Sequence, residues 1–209
     1  MSTTVTVIGS GNVGSAVAAL AAKGGAQVQV LGRDQDKAAA LAAEVSGTAG
    51  AIGEAITGEI VVLAVPVTAF DELVAAYGAQ LEGKVVVDVT NPVDFATFDS
   101  LTVPADSSAA AELQAKLPGA KVVKAFNTLF AGVLAAGQVG GDVPAVVLVA
   151  GDDESAKSAL IELVTAGGVK GVDAGSLKRA REMEAVGFLQ MTLAAREIIG
   201  WTGGFALRG

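Results

Sequence analysis

The sequence predicts an α/β protein, a doubly wound parallel sheet with a small C-terminal helical part. Two observations carry this expectation. Short runs of Val, Ile, Leu and Ala alternate with longer helix-favouring stretches along the chain, at the spacing of βαβ units. The runs are almost continuously apolar, as in Ile60-Val61-Val62-Leu63-Ala64-Val65, which is how strands read when both sheet faces are covered.

Taken in order, strands are expected over 4–8, 27–31, 59–65, 84–89, 121–125, 144–150 and 168–172, with a weak one over 47–51. Helices are expected over 12–23, 34–45, 68–77, 107–116, 129–136, 154–166 and 177–199. The first helix is apolar from Val13 to Ala22 and stops at Gly24-Gly25. Asp34 and Asp36 suit the start of the second. Ser176 suits the cap of the last. Right-handed crossovers give the first half the strand order 3-2-1-4-5-6. Residues 91–107, with Pro92 and Pro104, are the longest irregular stretch and read as a mobile loop over a site. The chain divides into 1–173, which holds the sheet, and 174–209, a helical segment for dimerisation and the acceptor site.

The most informative stretch is Val5-Thr6-Val7-Ile8-Gly9-Ser10-Gly11-Asn12-Val13-Gly14, a strand that breaks into a glycine turn and opens a helix. Gly9 permits the tight turn, Gly11 allows backbone to approach a pyrophosphate, and Gly14 lets the helix pack on the strand. The helix N-terminus then faces the phosphates. A dinucleotide is expected here. NAD-binding folds place an acid at the end of the second strand to bind the ribose 2′-OH. Here Gly32 stands there, followed by Arg33, whose guanidinium suits a 2′-phosphate. Ser10 and Lys37 are further candidates for that phosphate, and the cofactor is expected to be NADP. Asp34 is the remaining candidate for an NAD-type acid, and Arg33 and Lys37 also read as solvated charges at a helix start.

Composition narrows the chemistry. The 209 residues carry no cysteine and no histidine, so disulfides, thiol catalysis and the commonest metal ligands are absent, and no metal site is expected. The missing cysteines fit a cytoplasmic location. A net charge of −8 argues against nucleic acid as a partner. No apolar run reaches the roughly 18–20 residues of a membrane span, and the early first strand leaves no room for a signal peptide. With one tyrosine, Tyr77, and no histidine, the chain suits hydride passing directly between two bound redox cofactors.

Three strand ends should meet at the glycine turn: Val65-Pro66, Asn91-Pro92 and Phe126-Asn127-Thr128. Asn91 and Asn127 offer amides for a carboxamide or ring carbonyl, and Phe126 offers a face to a flat ring. No catalytic residue is certain, with Phe126 and Asn127 the candidates. Lys178, Arg179 and Arg181 near the last helix start read either as a solvated face or as a site for an acidic group. Residues 185–193 are apolar nearly all round, which predicts burial against a second subunit and hence a homodimer. Trp201 either closes the pocket or seals the core.

The chain resembles the family of coenzyme F420-dependent NADP oxidoreductases nearly end to end. The matching pieces are 8–14, Gly32-Arg33-Asp34, Val87-Asp88-Val89-Thr90-Asn91-Pro92, Val123-Lys124-Ala125-Phe126-Asn127-Thr128 and Trp201-Thr202-Gly203-Gly204-Phe205. The Lys-Ala-Phe-Asn-Thr piece also resembles the reductase domain of membrane metalloreductases, which takes electrons from NADPH to a flavin. The resemblance implies a Rossmann domain, a dimer, and hydride transfer between the nicotinamide and C5 of a deazaflavin. By position it implies Ser10, Gly32 and Arg33 at the adenosine phosphate and Val65 and Pro66, beside Ala64, at the nicotinamide. FMN or FAD stays open as acceptor. A non-catalytic NADP-binding module, and an NADPH-dependent reductase of another small substrate, are the alternatives.

Overall fold

The structure, a computed structural model, describes residues 3–207. Chain order runs β1 (Thr4–Ile8), α1 (Asn12–Lys23), β2 (Gln27–Gly32), α2 (Gln35–Glu44), β3 (Thr48–Ala51), β4 (Ile60–Leu63), α3 (Phe70–Leu81) and β5 (Val85–Asp88). It continues through α4 (Ala109–Lys116), β6 (Lys121–Ala125), α5 (Ala131–Ala136), the hairpin β7 (Gln138–Val139) and β8 (Val143–Pro144), β9 (Val146–Gly151), α6 (Glu154–Ala166), β10 (Lys170–Gly175) and α7 (Ala180–Ala195). Eight strands form one sheet ordered β10-β9-β6-β5-β4-β1-β2-β3, so the expected 3-2-1-4-5-6 half is present. The weak third strand is real and closes one edge.

Apolar side chains alternate between the two faces of each central strand, and each face has its own helices. Val5, Val7, Ile60 and Val62 pack with α1, α2, α5 and α6, whereas Ile8, Val61 and Leu63 pack with α3 and α4. This is the double winding expected of the sequence. Among the described residues no helix is long and apolar enough to cross a membrane.

One part of the expected sheet is corrected. β9 pairs antiparallel with β6, and β10 follows β9, so two strands run against the other six. The cause lies in α5. Its six residues rise only about 9 Å, against roughly 16 Å for the five residues of β6. With this short helix and the β7–β8 hairpin in between, the chain enters β9 from the end at which β6 finishes. The last helix is also shorter than 177–199: Leu177–Arg179 is a 3-10 turn, and α7 ends at Ala195.

Candidate functional site

The glycine turn is built as its spacing demands. Gly9 has φ +114°, and a Cβ there would lie 2.2 Å from Ala64 O on the neighbouring strand. A Cβ on Gly14 would lie 2.0 Å from Gly9 O, so α1 sits directly on the turn. Gly11 differs from both. Nothing lies within 4 Å of the Cβ it lacks, so no protein group requires glycine there. Gly11 is also the N-cap of α1, with no side chain capping it and no acid in the first turn. The free N–H groups of α1 thus face open space, the arrangement that receives phosphate.

At the end of β2, Gly32 lies beside the loop, where an added Cβ would come within 3.4 Å of Ser10 Oγ. Arg33 is exposed and has no ion-pair partner among the described residues. Asp34 is engaged as the N-cap of α2: one oxygen accepts from Lys37 N at 3.1 Å and the other pairs with Lys37 Nζ at 3.2 Å. Those bonds hold its carboxyl below the ordinary carboxylate range. Asp34 thus caps α2, and its pair with Lys37 is exposed on both sides. Ser10, Gly32 and Arg33 remain together at this corner.

Beyond the turn lies a cavity of about 620 Å³. Its wall brings together Gly11, Asn12 and Val13 of the loop with Ala64, Val65 and Pro66 after β4. Asn91 and Pro92 after β5, and Phe126 and Asn127 after β6, join them, as the convergence of strand ends predicts. Gly9, Ser10, Gly14, Gly32, Arg33 and Lys37 lie outside the cavity wall. No charged side chain and no tyrosine lines it. Tyr77 is buried elsewhere, its hydroxyl accepting from Gly53 N. Among the described residues no cluster of His, Cys, Asp or Glu could hold a metal.

Two asparagines close the floor. Asn91 Nδ2 donates to Asn127 O at 2.9 Å, which fixes the Asn91 amide because a carbonyl only accepts. Asn91 Oδ1 then accepts from Asn127 Nδ2, which also donates to Met183 O, both at 2.9 Å. Both donors of the Asn127 amide are consumed in this way, and one of the two on Asn91. Asn127 Oδ1 and Thr90 Oγ1, buried in residues of the cavity wall, have no hydrogen-bond partner. Phe126, just before, is buried with φ +68°, a left-handed conformation costly for a bulky residue and typical of functional turns.

Behind this floor sits a buried charge cluster that sequence reasoning missed. Lys124 Nζ lies 2.9 Å from Asp88 and 2.8 Å from Glu184, and donates to Thr90 O at 2.6 Å. All three charged side chains are fully buried. Asp88 Oδ1 accepts from Thr90 N, and Glu184 accepts from Ala109 N and, at 3.4 Å, from Ala110 N at the start of α4. The signal was present in part: Asp88 and Lys124 are opposed in register on neighbouring, otherwise apolar strands. Phe95, Phe130 and Met191 are further cavity residues that were not assigned to the site, and Trp201 lines the cavity, the first of the two places expected for it. Near the start of α7, exposed Arg179 faces Glu182 at 3.5 Å, as expected of a solvated face.

Sheet, turn and cleft define a Rossmann-type α/β protein with its cavity at the topological switch point. Residues 4–92 match the family described as NADP oxidoreductase, coenzyme F420-dependent. The F420-dependent NADP reductase of Methanothermobacter thermautotrophicus is 30% identical over 204 residues, covering 90% of this chain and 87% of that protein. The chain belongs to this family. The F420-dependent NADP reductase of Methanocaldococcus jannaschii is 33% identical over 133 residues, and the match spans 59% of its length. Metalloreductase STEAP3 of Rattus norvegicus is 31% identical over 182 residues, covering 87% of this chain but only 36% of that protein. A crystal structure assigned as an F420-dependent NADP-reductase from Arthrobacter sp. FB24 superposes with a TM-score of 0.83 at 28% identity, over 98% of this chain and 99% of that one.

Proposed function

We propose that this protein is an NADP-dependent oxidoreductase that passes hydride between the nicotinamide and C5 of a deazaflavin. The observation that carries the reading is the open space at Gly11, which leads from a phosphate-receiving helix start into an uncharged cleft. Ser10, Gly32 and Arg33 would hold the 2′-phosphate, and the loop residues 9–14 the pyrophosphate. Ala64, Val65 and Pro66 would bound the nicotinamide. The unspent acceptor of Asn127 suits a ligand N–H, such as that of a carboxamide.

Bound here, NADPH would supply a hydride to the acceptor and become NADP⁺, with the acceptor's balancing proton drawn from bulk solvent after the transfer. No side chain in the cavity wall is an acid or base, so the protein's own part is alignment and exclusion of water. The names of the relatives support the deazaflavin as acceptor. We further propose a homodimer in the cytoplasm, with α7 as the seam. Its Val186 and Leu189 stand 40% and 51% exposed, and Phe205 and Leu207 of the tail are exposed near Val186 beside a small apolar hollow.

Stopped-flow mixing with NADPH and oxidised coenzyme F420, then with FMN, tests this reading. Rapid bleaching of the deazaflavin with slow or absent FMN reduction is expected. Tight NADPH binding without turnover on either acceptor would instead mark a non-catalytic module.

A further inference from the structure

We infer that Trp201, stacked with Phe130, is the platform on which the flat ring of the electron acceptor lies, and that the C-terminal tail thereby sets acceptor specificity. The inference rests on the oxidoreductase reading above and names the part of the site that takes the second ring.

The first support is where the aromatic residues are. The chain has nine, and four of them, Phe95, Phe126, Phe130 and Trp201, line this cavity. Phe126 is buried in the floor, whereas Phe95 and Trp201 stand 68% and 55% exposed. Trp201 packs on Phe130 with ring centroids 4.9 Å apart and planes tilted by 58°. This is a favourable aromatic pair that still leaves much of the indole in water.

The second support is the way the tail is held. Thr202 O accepts from Gly140 N at 2.8 Å. Phe205 N donates at 3.0 Å to Oε1 of Gln190, a buried side chain of α7. A Cβ on Gly204 would lie 2.6 Å from the same oxygen, and one on Gly132 would lie 3.2 Å from Trp201 O. Anchors at Thr202 and Phe205, just after it in the chain, therefore hold Trp201 at the cavity, and they cost no side chain of the wall. Burying the indole would have been simpler if it only sealed the core.

The third support is chemical. The cavity exceeds what one nicotinamide ring fills, and its wall is apolar and uncharged around Trp201. Such a surface suits a neutral, planar, polycyclic ring held by stacking. It does not suit a small charged hydroxy acid.

The test is binding of oxidised coenzyme F420 to the NADP⁺-loaded protein, by calorimetry, for wild type, Trp201→Ala and Trp201→Phe, with NADP⁺ affinity measured separately. Loss of one stacked ring should weaken F420 binding roughly 10- to 100-fold in Trp201→Ala. NADP⁺ affinity should stay within about twofold, and Trp201→Phe should recover most of the loss. Unchanged F420 affinity in Trp201→Ala overturns the inference, as does an equal loss for both ligands or failure of wild type to bind F420. Should Trp201→Ala not fold, Trp201→Leu carries the same comparison. Binding without hydride transfer in wild type would leave the platform standing and defeat the oxidoreductase reading, so the two fail separately.

Discussion

Lys124 and Glu184 meet at 2.8 Å with neither side chain exposed, and this contact joins β6 to α7 directly behind the cavity floor. The same ammonium reaches Asp88 and the carbonyl of Thr90, so one cation neutralises two buried carboxylates and holds the strand end that carries Asn91. Removing it strands both acids in a low-dielectric interior. Lys124→Met should therefore cost about 3–5 kcal/mol, read as a lower urea midpoint. An unchanged midpoint would mean that the cluster opens to water in solution.

The same cluster predicts a pH dependence. Burial pushes the Glu184 carboxyl above its ordinary value of 4.5, the charge of Asp88 acts in the same direction, and Lys124 opposes them. A pKa raised on folding means that the native state holds the proton more tightly than the unfolded chain. The stabilisation is then full below the unfolded value and is lost as pH rises through the folded one. Denaturation midpoints taken from about pH 4 to 8 should fall in wild type relative to Glu184→Gln, whose side chain does not titrate. Parallel curves would show that Glu184 ionises in place without penalty.

The three glycines of the turn should separate folding from binding. Gly14→Ala drives a Cβ to 2.0 Å from Gly9 O, so backbone must move, at a cost at or above the roughly 1–3 kcal/mol of ordinary overpacking. Gly11→Val meets no protein atom and should cost no more than about 1 kcal/mol, the loss of a tolerable N-cap. It should nonetheless abolish NADPH binding, because the new side chain fills the space left for phosphate. Thermal unfolding and NADPH titration on both variants check the contrast; a Gly11→Val protein with normal affinity removes the loop from the site.

Much of this was legible because the sheet is covered on both faces. Val5 to Ile8, Ile60 to Val65 and Val85 to Asp88 read as strands without help from tertiary structure, and their ends mark the cleft. Strand direction was not legible for β9 and β10, since an apolar run reads the same whichever way it points. What reverses them is the shortness of α5, and element ends are what periodicity fixes least. Glu184 was hidden for a related reason: it lies on a helix far along the chain, and its partners emerge only when α7 crosses the ends of β5 and β6. Gly187 shows how close that crossing is, since a Cβ there would lie 2.4 Å from Asn91 Oδ1.

The choice of NADP over NAD rests on Arg33. Asp34 caps its own helix and pairs with Lys37, whereas Arg33, next to Gly32 and so near Ser10, has no ion-pair partner among the described residues. Arg33→Ala should weaken NADPH binding by about 1.5–3 kcal/mol, the worth of a charge-assisted contact, and leave NADH unaffected. The ratio of the two dissociation constants is the measurement. A ratio equal to that of wild type would return the cofactor preference to some other group.

The proposed dimer is exposed to an equally direct test at α7. Val186 and Leu189 lie three residues apart and so share one helix face, and Leu189 is half in solvent in a single copy. Burying a leucine against a second copy contributes about 1.5–3 kcal/mol, so a carboxylate at its centre should raise the dimer dissociation constant by more than about tenfold. Leu189→Glu should sediment as a monomer at concentrations where wild type is dimeric, with its thermal midpoint no lower than that of a monomer with an intact core. A wild-type protein that is monomeric at micromolar concentration leaves these side chains without a second copy to cover them.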